Sequence, residues 1–366
     1  MRRKRNEFRT WPVPASPMSP DLAFRNFPAS THPTLPPADL AATADWFHRQ
    51  PDGAERFRWA LRDSLDEVLD GQRTGRWAYA HLTKTEKTHL GTMVEVNLTK
   101  EFSIPDGDDL DWEVAGSDLD CKFSKDLAGW EIPMEMYLCP DHNAATGSAD
   151  HPALLVWLDD DTGRWGAGLL RMSDQGLRWK ITPPATPGLR AYNRDNKRKI
   201  SPASETDIFW LWGGLRHDLP PNVLLQLDPA IRDLIFRNRS SGQARVNALF
   251  DAVTEKVISR SVVLTVAQQD DSPKRARDAR LHLRPKGIII LGHESSHRLI
   301  AKALGLSECE KGEWLSARVL RVQENDQRTK VWIPRKVGKD GVLRCQEGWW
   351  ARASAGDPDE PGPLLP

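Results

Sequence analysis

The segment from Glu95 to Asp126 constrains the fold of this chain more than any other, because it sets ten Asp or Glu residues against three Lys. Like charges at that density oppose folding unless they stay in solvent or a cation binds among them. The segment closes with apolar and polar residues in alternation up to Ser124. This period of two is typical of a β-strand, and it puts Asp120 and Lys122 side by side on one face.

Asp120 and Lys122 together suggest a kind of chemistry. A carboxylate binds a hard divalent ion, and a neighbouring ammonium group can orient or deprotonate water, which is the core of a metal-dependent phosphodiesterase site. The Asp-x-Lys pattern is weak by itself, since about one copy is expected by chance in a chain of this length. Asp195-Asn196-Lys197 is such a second copy, in a polar and basic segment. A solvated acidic surface is the alternative interpretation.

Two neighbouring segments favour the first copy. A helical pattern over Thr85–Glu101 carries Glu95 beside its apolar stripe. The residues from Asp111 to Phe123 are typical of a β-hairpin that turns at residues 115–117, which sets Asp111 across from the strand of Asp120. We therefore expect the three acids and Lys122 to lie close together.

The composition of the whole chain excludes several classes of protein. Its 366 residues are enough for two domains, and the 51 Lys and Arg balance the 51 Asp and Glu, so that any attraction to nucleic acid must come from local patches. The four cysteines form no CxxC pair, which suits a reducing cytoplasm. The basic residues 2–5 are not followed by the apolar run of a signal peptide, and no apolar run is long enough to span a membrane. We expect a soluble cytoplasmic protein without a membrane partner.

Composition shifts predict the domain organisation. Residues 1–37 are rich in Pro and Ser and lack periodicity, so we expect disorder there. A first domain is expected over 38–182, a linker over 183–206 where prolines precede a basic run, a second domain over 207–350, and a disordered tail over 351–366.

The second domain has the pattern of a DNA-binding module. A helical stripe near 246–257 and a short apolar segment precede a basic helix with Ser272 as the expected N-cap, and a buried strand follows at 287–292. This order is that of a winged helix-turn-helix. From Arg190 to Lys286 there are eighteen Lys or Arg against eleven Asp or Glu. The candidate DNA contacts are Lys274, Arg275, Arg277 and Arg280 on the basic helix, and Lys197, Arg198 and Lys199 in the linker.

A competing motif lies at His293-Glu294-Ser295-Ser296-His297, which fits the HExxH pattern of zinc peptidases. That chemistry needs both histidines on one face of a formed helix. Gly292 ends a strand directly before His293, so we expect the first histidine in the turn that precedes the helix.

The chain also resembles a known family, the NaeI-type restriction endonucleases of the type IIE class. The matching sequence segments in the first half are DGQRTGRW at 70–77, KTEKTHLGTMVEVNL at 84–98 and EVAGSDLDCKFS at 113–124. In the second half they are GQARVNALF at 242–250, TVAQQDD at 265–271 and RPKGIIILGH at 284–293. The resemblance covers roughly residues 55–320.

The resemblance implies an α/β fold with two parts: an N-terminal PD-(D/E)xK endonuclease domain, in which helices flank a mixed sheet, and a C-terminal winged helix-turn-helix domain like that of catabolite activators. The family's catalytic acids and lysine fall on Glu95, Asp111, Asp120 and Lys122. The resemblance further implies a homodimer in a prokaryotic cytoplasm that binds two copies of its site on double-stranded DNA, one as effector, and a cognate DNA methyltransferase as functional partner.

Our hypothesis from the sequence is a Mg²⁺-dependent type II endonuclease that cuts a specific site, for which a GC-rich palindrome is the expectation from the resemblance. Asp111 and Asp120 would bind the ion, Glu95 would complete its shell, and Lys122 would act on the attacking water. Two alternatives stay open: a DNA-binding or nicking protein of the same fold, and a zinc peptidase that uses His293 and His297.

Overall fold

The computed structural model describes residue 11 and residues 32–138, 150–180, 189–237, 241–269, 271–337 and 340–365. Its contacts group into two compact units. The first, here called the sheet unit, comprises residues 14–68 and 78–222. The second, here called the C-terminal unit, comprises residues 1–13, 69–77 and 223–366. Most of the N-terminal segment for which we expected disorder lies outside the described residues.

Four helices belong to the sheet unit: α1 (Ala41–His48), α2 (Gly53–Leu69), α3 (Lys84–Phe102) and α4 (Pro202–Glu205). Helix α3 confirms the prediction over Thr85–Glu101. It begins at a capping box, in which the Thr83 side chain accepts from the Glu86 amide and the Glu86 side chain accepts from the Thr83 amide. Its buried stripe is Leu90, Val94, Leu98 and Phe102. The helix ends at Ser103, which adopts a left-handed conformation.

The sheet unit is built on a five-stranded mixed sheet of order β1-β2-β4-β5-β7. The strands of this unit are β1 (Trp112–Val114), β2 (Ser117–Ser124), β3 (Glu131–Ile132), β4 (Pro152–Asp159), β5 (Arg164–Arg171), β6 (Arg198–Lys199) and β7 (Phe209–Trp210). β2 and β4 are parallel, and the other pairs of this sheet are antiparallel. β4 is apolar along its length because both of its faces are covered, and only its last residue is partly exposed.

The hairpin predicted over Asp111–Phe123 is confirmed. Trp112 pairs with Leu119 and Val114 with Ser117, and Ala115 and Gly116 form a turn with φ of 54° and 76°. Two residues with positive φ match the twist of a hairpin, and glycine adopts that conformation at little cost. The turn fixes the register of the hairpin. In that register Asp120 lies beside the core of the sheet, where it is 4% exposed.

The segment predicted as a linker differs from that expectation. From residue 189 onwards it belongs to the sheet unit, since β6 pairs with β3 and Ile200 is fully buried. Arg198 is buried as well, because its guanidinium binds the Asp174 carboxylate and main-chain carbonyl groups. Residues 183–188 lie outside the described residues. The chain leaves the sheet unit after Asn222.

The C-terminal unit combines helices with antiparallel strands. Its helices are α5 (Val223–Gln226), α6 (Pro229–Ile235), α7 (Gly242–Ala252), α8 (Arg260–Ala267), α9 (Ser272–Leu283) and α10 (Ser295–Ala303). Its strands are β8 (Val257–Ser259), β9 (Ile288–Leu291), β10 (Glu313–Val322), β11 (Lys330–Ile333), β12 (Lys336–Val337), β13 (Leu343–Cys345) and β14 (Gly348–Arg352). β10 pairs with β8, β9 and β14, and β14 also pairs with β11.

Two further segments join the C-terminal unit. A helical turn over Gly71–Thr74 packs on α8 so closely that a Cβ atom at Gly71 would lie 2.0 Å from the Thr265 hydroxyl oxygen. The tail after 351, for which we expected disorder, is ordered against this unit, since β14 extends to Arg352 and the Gly362 amide donates to the Arg284 carbonyl at 2.8 Å. Among the described residues no helix is long and apolar enough to cross a membrane.

A buried polar network connects α2 to the turn after β4. Arg62 Nη1 donates to Asp160 Oδ1 at 2.5 Å, and Asn222 Nδ2 donates to the other carboxylate oxygen at 2.9 Å. Arg62 also pairs with Asp66 at 2.8 Å. Buried charges remain in a fold only when they are paired and hydrogen-bonded, so this network depends on each of its members.

We predict that Asp160→Ala lowers the free energy of unfolding by about 3 kcal/mol, because it removes the buried carboxylate that Arg62 and Asn222 share and leaves Arg62 with Asp66 as its acidic partner. Urea denaturation followed by circular dichroism measures the change. Asp161→Ala, at the exposed next position, is the control and should change stability by less than about 0.5 kcal/mol. Equal effects of the two substitutions would contradict the importance of the network.

Candidate active site

The centre of the site is the pair Asp120 and Lys122 on β2. The two side chains point to the same side of the strand, as the alternation predicts, and Lys122 Nζ lies 2.6 and 2.5 Å from the two carboxylate oxygens of Asp120. The Asp120 side chain is 5% exposed and that of Lys122 is 22% exposed. The ammonium group is therefore held in one position and is partly open to solvent.

Asp111 joins this pair from the residue before β1. Its Oδ2 atom accepts a hydrogen bond from the Cys121 amide at 2.9 Å, and its carboxyl group is hydrogen-bonded to that of Asp120. Burial, followed by the contact with Asp111, raises the pKa of Asp120 to about 8. Burial alone would also raise the pKa of Asp111, but the hydrogen bonds from Asp120 and Cys121 lower it below the usual value. The two carboxyl groups thus share one proton when no cation is present.

Glu95 reaches the same site from α3. Burial and then the charge of Asp111 raise the pKa of Glu95, while Lys122 lowers it. Glu95 therefore interacts electrostatically with both, although it is set farther out than the Asp111–Asp120 pair. Within the described ranges, no three or more His, Cys, Asp or Glu side chains are close enough together to hold a metal ion directly. The structure thus places Asp111, Asp120 and Lys122 in contact, and Glu95 interacts with Asp111 and Lys122 through its charge.

Cys121 lies between these residues in sequence but on the other side of β2. Its side chain is buried, and burial raises the pKa of its thiol well above the usual value. A neutral buried thiol is a poor nucleophile and a poor metal ligand. Cys121 therefore belongs to the core, as the alternation of the strand predicts.

The basic candidates of the former linker separate into two kinds. Lys197 and Lys199 are half-buried, so their ammonium groups have access to solvent. The Arg198 side chain is 0% exposed and its guanidinium is held by Asp174. The expectation of a DNA contact from Arg198 is therefore not met, because no part of its guanidinium faces solvent. The Asp195-Asn196-Lys197 copy lies in a turn that precedes β6, away from any strand of the mixed sheet.

The basic helix α9 likewise offers fewer free charges than its sequence suggests. Lys274 and Arg277 are exposed. Arg275 is paired with Asp271 at 3.0 Å. Arg280 turns into its own unit, where its Nε atom donates to a main-chain carbonyl of β9 at 2.9 Å. Of the four predicted contacts, Lys274 and Arg277 are thus the most accessible.

The HExxH segment does not have the geometry of a zinc site. Helix α10 begins at Ser295, so His293 lies before it, as we expected. His297 is 2% exposed, and its Nδ1 atom lies 3.2 Å from the Gly292 amide and 2.9 Å from Glu294. No metal-binding group of side chains is found here among the described residues. His297 instead joins the end of β9 to the start of α10.

Three residues beside the site were not singled out from the sequence. Tyr79, in the short helical turn Tyr79–His81, lies close to the ammonium groups of Lys87 and Lys125. Lys87 is on the same helix as Glu95, and Lys125 is the residue directly after the strand that carries Lys122. The segment 84–98, which carries part of the resemblance, contains Lys87. A lone lysine in the first turn of a helix is usually solvated, so no local sequence pattern marks it as functional.

Comparisons with known proteins agree with the resemblance. A family model described as restriction endonuclease NaeI matches residues 41–337. The type II restriction enzyme NaeI of Lentzea aerocolonigenes is 40% identical over 331 residues, which cover 88% of this chain and 92% of the relative. The matched region includes the four residues of the site and helix α9.

Proposed function

The chain belongs to the restriction endonuclease NaeI family, and from that premise we propose that it hydrolyses DNA phosphodiesters with Mg²⁺ at the site around Asp120. Membership makes it a site-specific endonuclease that acts on double-stranded DNA, an enzyme of restriction–modification systems. Restriction endonucleases of this kind use divalent metal ions. The choice of Mg²⁺, the role of each residue and a second DNA site are the parts that we propose.

One observation supports the catalytic assignment above the others. Asp111 and Asp120, which lie on opposite strands of a hairpin, have their carboxyl groups in contact, and Lys122 binds the second of them. Asp120 is buried and Asp111 half-buried, and two carboxyl groups in such a contact repel each other unless a cation offsets their charge, which marks the pair as a candidate functional site.

The donor set fits a divalent cation. Carboxylate oxygens are the ligands that Mg²⁺ prefers, and one or two of them suffice because this ion usually keeps several waters. Asp111 and Asp120 would hold the ion, and Glu95, which is set farther out, would contribute through water. When bound, the ion would polarise the scissile phosphate and offset the charge that builds up on its oxygens.

The residues of the chain then have distinct tasks. Lys122 orients the attacking water and places a positive charge beside the phosphate. Its contact with Asp120 keeps the ammonium group in position before DNA binds. The main-chain amide of Cys121 holds the Asp111 carboxyl group beside that of Asp120. Positioning of this kind supplies much of the rate acceleration in phosphoryl-group hydrolysis.

The C-terminal unit is proposed to carry the second DNA site as a winged helix-turn-helix, with α9 as the helix that enters the major groove. The sequential helices α7, α8 and α9, followed by β9, support this assignment. We further propose a homodimer that cuts a GC-rich palindrome on both strands, with one copy of the site as effector and a DNA methyltransferase as functional partner. These parts rest on the resemblance to the family.

We predict that Lys122→Ala reduces the rate of plasmid cleavage in Mg²⁺ by at least about 100-fold, as for loss of a group that positions the attacking water. Quantifying supercoiled, nicked and linear plasmid over time measures the rate and shows whether both strands are cut. DNA binding should stay close to that of the wild type. Lys100→Ala, an exposed lysine on α3, is the matched control. Cleavage by Lys122→Ala at the wild-type rate would refute the assignment.

We predict that Asp111→Asn raises the Mg²⁺ concentration needed for half-maximal cleavage by about tenfold or more, since it removes one of two carboxylate ligands. The measurement is a Mg²⁺ titration of the initial cleavage rate. Asp109→Asn changes the same charge at an exposed position two residues away and should leave the titration unchanged. If both variants behave like the wild type, Asp111 is not a ligand.

We predict that the double variant Lys274→Ala/Arg277→Ala lowers the slope of log affinity against log salt concentration by about 2, because each exposed cation on α9 is expected to neutralise one phosphate. Binding of duplex DNA without divalent cations, measured over a series of salt concentrations, gives the slope. Lys302→Ala/Lys311→Ala removes two exposed charges outside α9 and is the control. An equal slope for the two double variants would remove α9 from the interface.

A further inference from the structure

Two lysines lie close to one tyrosine ring in the sheet unit. Lys87 Nζ is 5.1 Å from the centroid of the Tyr79 ring, and Lys125 Nζ is 5.6 Å from the same centroid. Both distances are within the range of cation–π attraction, which is about 6 Å. We call these three residues the Tyr79 cluster. Asp159 is paired with Lys125, and the charge of Asp126 acts on Tyr79, so Lys87 is the member of the cluster whose positive charge is left for an anion.

The members of the Tyr79 cluster differ in whether another residue of the protein forms an ion pair or a hydrogen bond with their polar groups. Lys125 is paired with Asp159 at 2.8 Å, and its main-chain carbonyl accepts a hydrogen bond from the Trp157 indole at 3.0 Å. Lys87 forms no ion pair with any described residue, and the Tyr79 hydroxyl forms no hydrogen bond with one. The cluster thus contains one anchored cation, one uncompensated cation and one available hydroxyl group.

The position of Lys87 on its helix also points to an external anion. Lys87 lies in the first turns of α3, close to the positive end of the helix dipole, where a cation is unfavourable. The capping box engages the amides of Thr83 and Glu86 at this end. The side chain of Lys87 carries the charge that would meet a ligand.

The Tyr79 cluster is in line with the candidate active site along two elements. Helix α3 packs beside β2, with Glu95 near Lys122, Gly91 against Phe123 and Lys87 near Lys125. Lys125 follows Lys122 by three residues, or about 10 Å of extended chain. Lys87 precedes Glu95 by two helical turns, or about 12 Å. Both elements thus set the cluster at a similar distance from the catalytic residues.

We propose that Lys87 and the Tyr79 hydroxyl bind a phosphate of the cleaved DNA strand two or three nucleotides from the scissile phosphate. This inference rests on the proposed function, since it assumes that the scissile phosphate lies at Asp120. Because the strand winds around the helix axis, neighbouring phosphates lie farther apart than the axial rise of about 3.4 Å, so a spacing of about 10 Å spans at most about three nucleotides. A contact of this kind fixes the register of the strand, so Lys87 and Tyr79 are positioning residues.

The test compares Lys87→Ala with Lys84→Ala in single-turnover cleavage. Lys84 is an exposed lysine three residues away on the same helix, so both variants lose one charge. For Lys87→Ala the DNA concentration at half-maximal rate should rise by about tenfold, as for loss of one hydrogen bond to a charged group. The salt slope of kcat/KM should fall by about 1, while the maximal rate stays near that of the wild type. With Lys87→Arg, the DNA concentration at half-maximal rate should return most of the way to the wild-type value.

Modified substrates locate the contact. Duplexes with a single neutral methylphosphonate, scanned along the cleaved strand, should show one position two or three nucleotides from the cut at which Lys87→Ala causes no additional loss. Such non-additivity is the mark of two groups in direct contact. Tyr79→Phe keeps the ring beside both lysines and removes the hydroxyl group alone. It should weaken binding of the unmodified duplex by about twofold to fivefold.

If Lys87→Ala and Lys84→Ala have the same half-maximal concentration and the same salt slope, the inference is wrong. The proposed function is decided separately: it stands if the wild type cleaves and Lys122→Ala does not. Additive losses at every methylphosphonate position would also overturn the phosphate contact, even where the catalytic assignment holds.

Discussion

The contact between the carboxyl groups of Asp111 and Asp120 is the interaction on which the candidate active site depends. Asp120 is buried and Asp111 half-buried, and two carboxylates in contact repel each other unless a cation offsets their charge. The hairpin produces the contact, because the turn at Ala115 and Gly116 folds β1 back onto β2 and the Cys121 amide holds Asp111 in place. Lys122 offsets part of the charge from the same strand. The remaining charge is left for a divalent ion, so the geometry of the backbone alone creates the demand for a cation.

Much of this arrangement could be predicted from the sequence because its causes are local. The alternation around Asp120 sets the face of each side chain, and the glycine at 116 supplies the positive φ that a tight hairpin needs. The capping box at Thr83 marks the start of the helix that carries Glu95. Periodicity and caps act over a few residues, so they can be read from the sequence and agree with the structure in the hairpin and in α3.

Where the prediction was wrong, the cause is a partner distant in the chain. Arg198 looked like one cation of a solvated basic run, yet it is buried because Asp174 and carbonyl groups from another segment surround it. The prolines and charges after residue 351 suggested disorder, yet the tail forms hydrogen bonds back to Arg284. Nothing near Arg198 or Gly362 in the sequence records these contacts. The same holds for Tyr79, whose two lysines are 8 and 46 residues away.

The chain has no net charge, and the sheet unit suggests why that balance is useful. The acids at one end of α3 and β2 attract a cation but repel a DNA backbone until the cation is bound. Lys87, at the start of the same helix, forms no ion pair with any described residue, and we propose that it binds the DNA backbone. Helix α3 and strand β2 pack closely where Gly91 meets Phe123, because Gly91 has no side chain to hold them apart. The packing of these two elements sets the distance between the two charged groups. Under this proposal, a strand of DNA that binds Lys87 would be brought to the acids in a fixed register, and this register would not depend on long-range attraction from the protein as a whole.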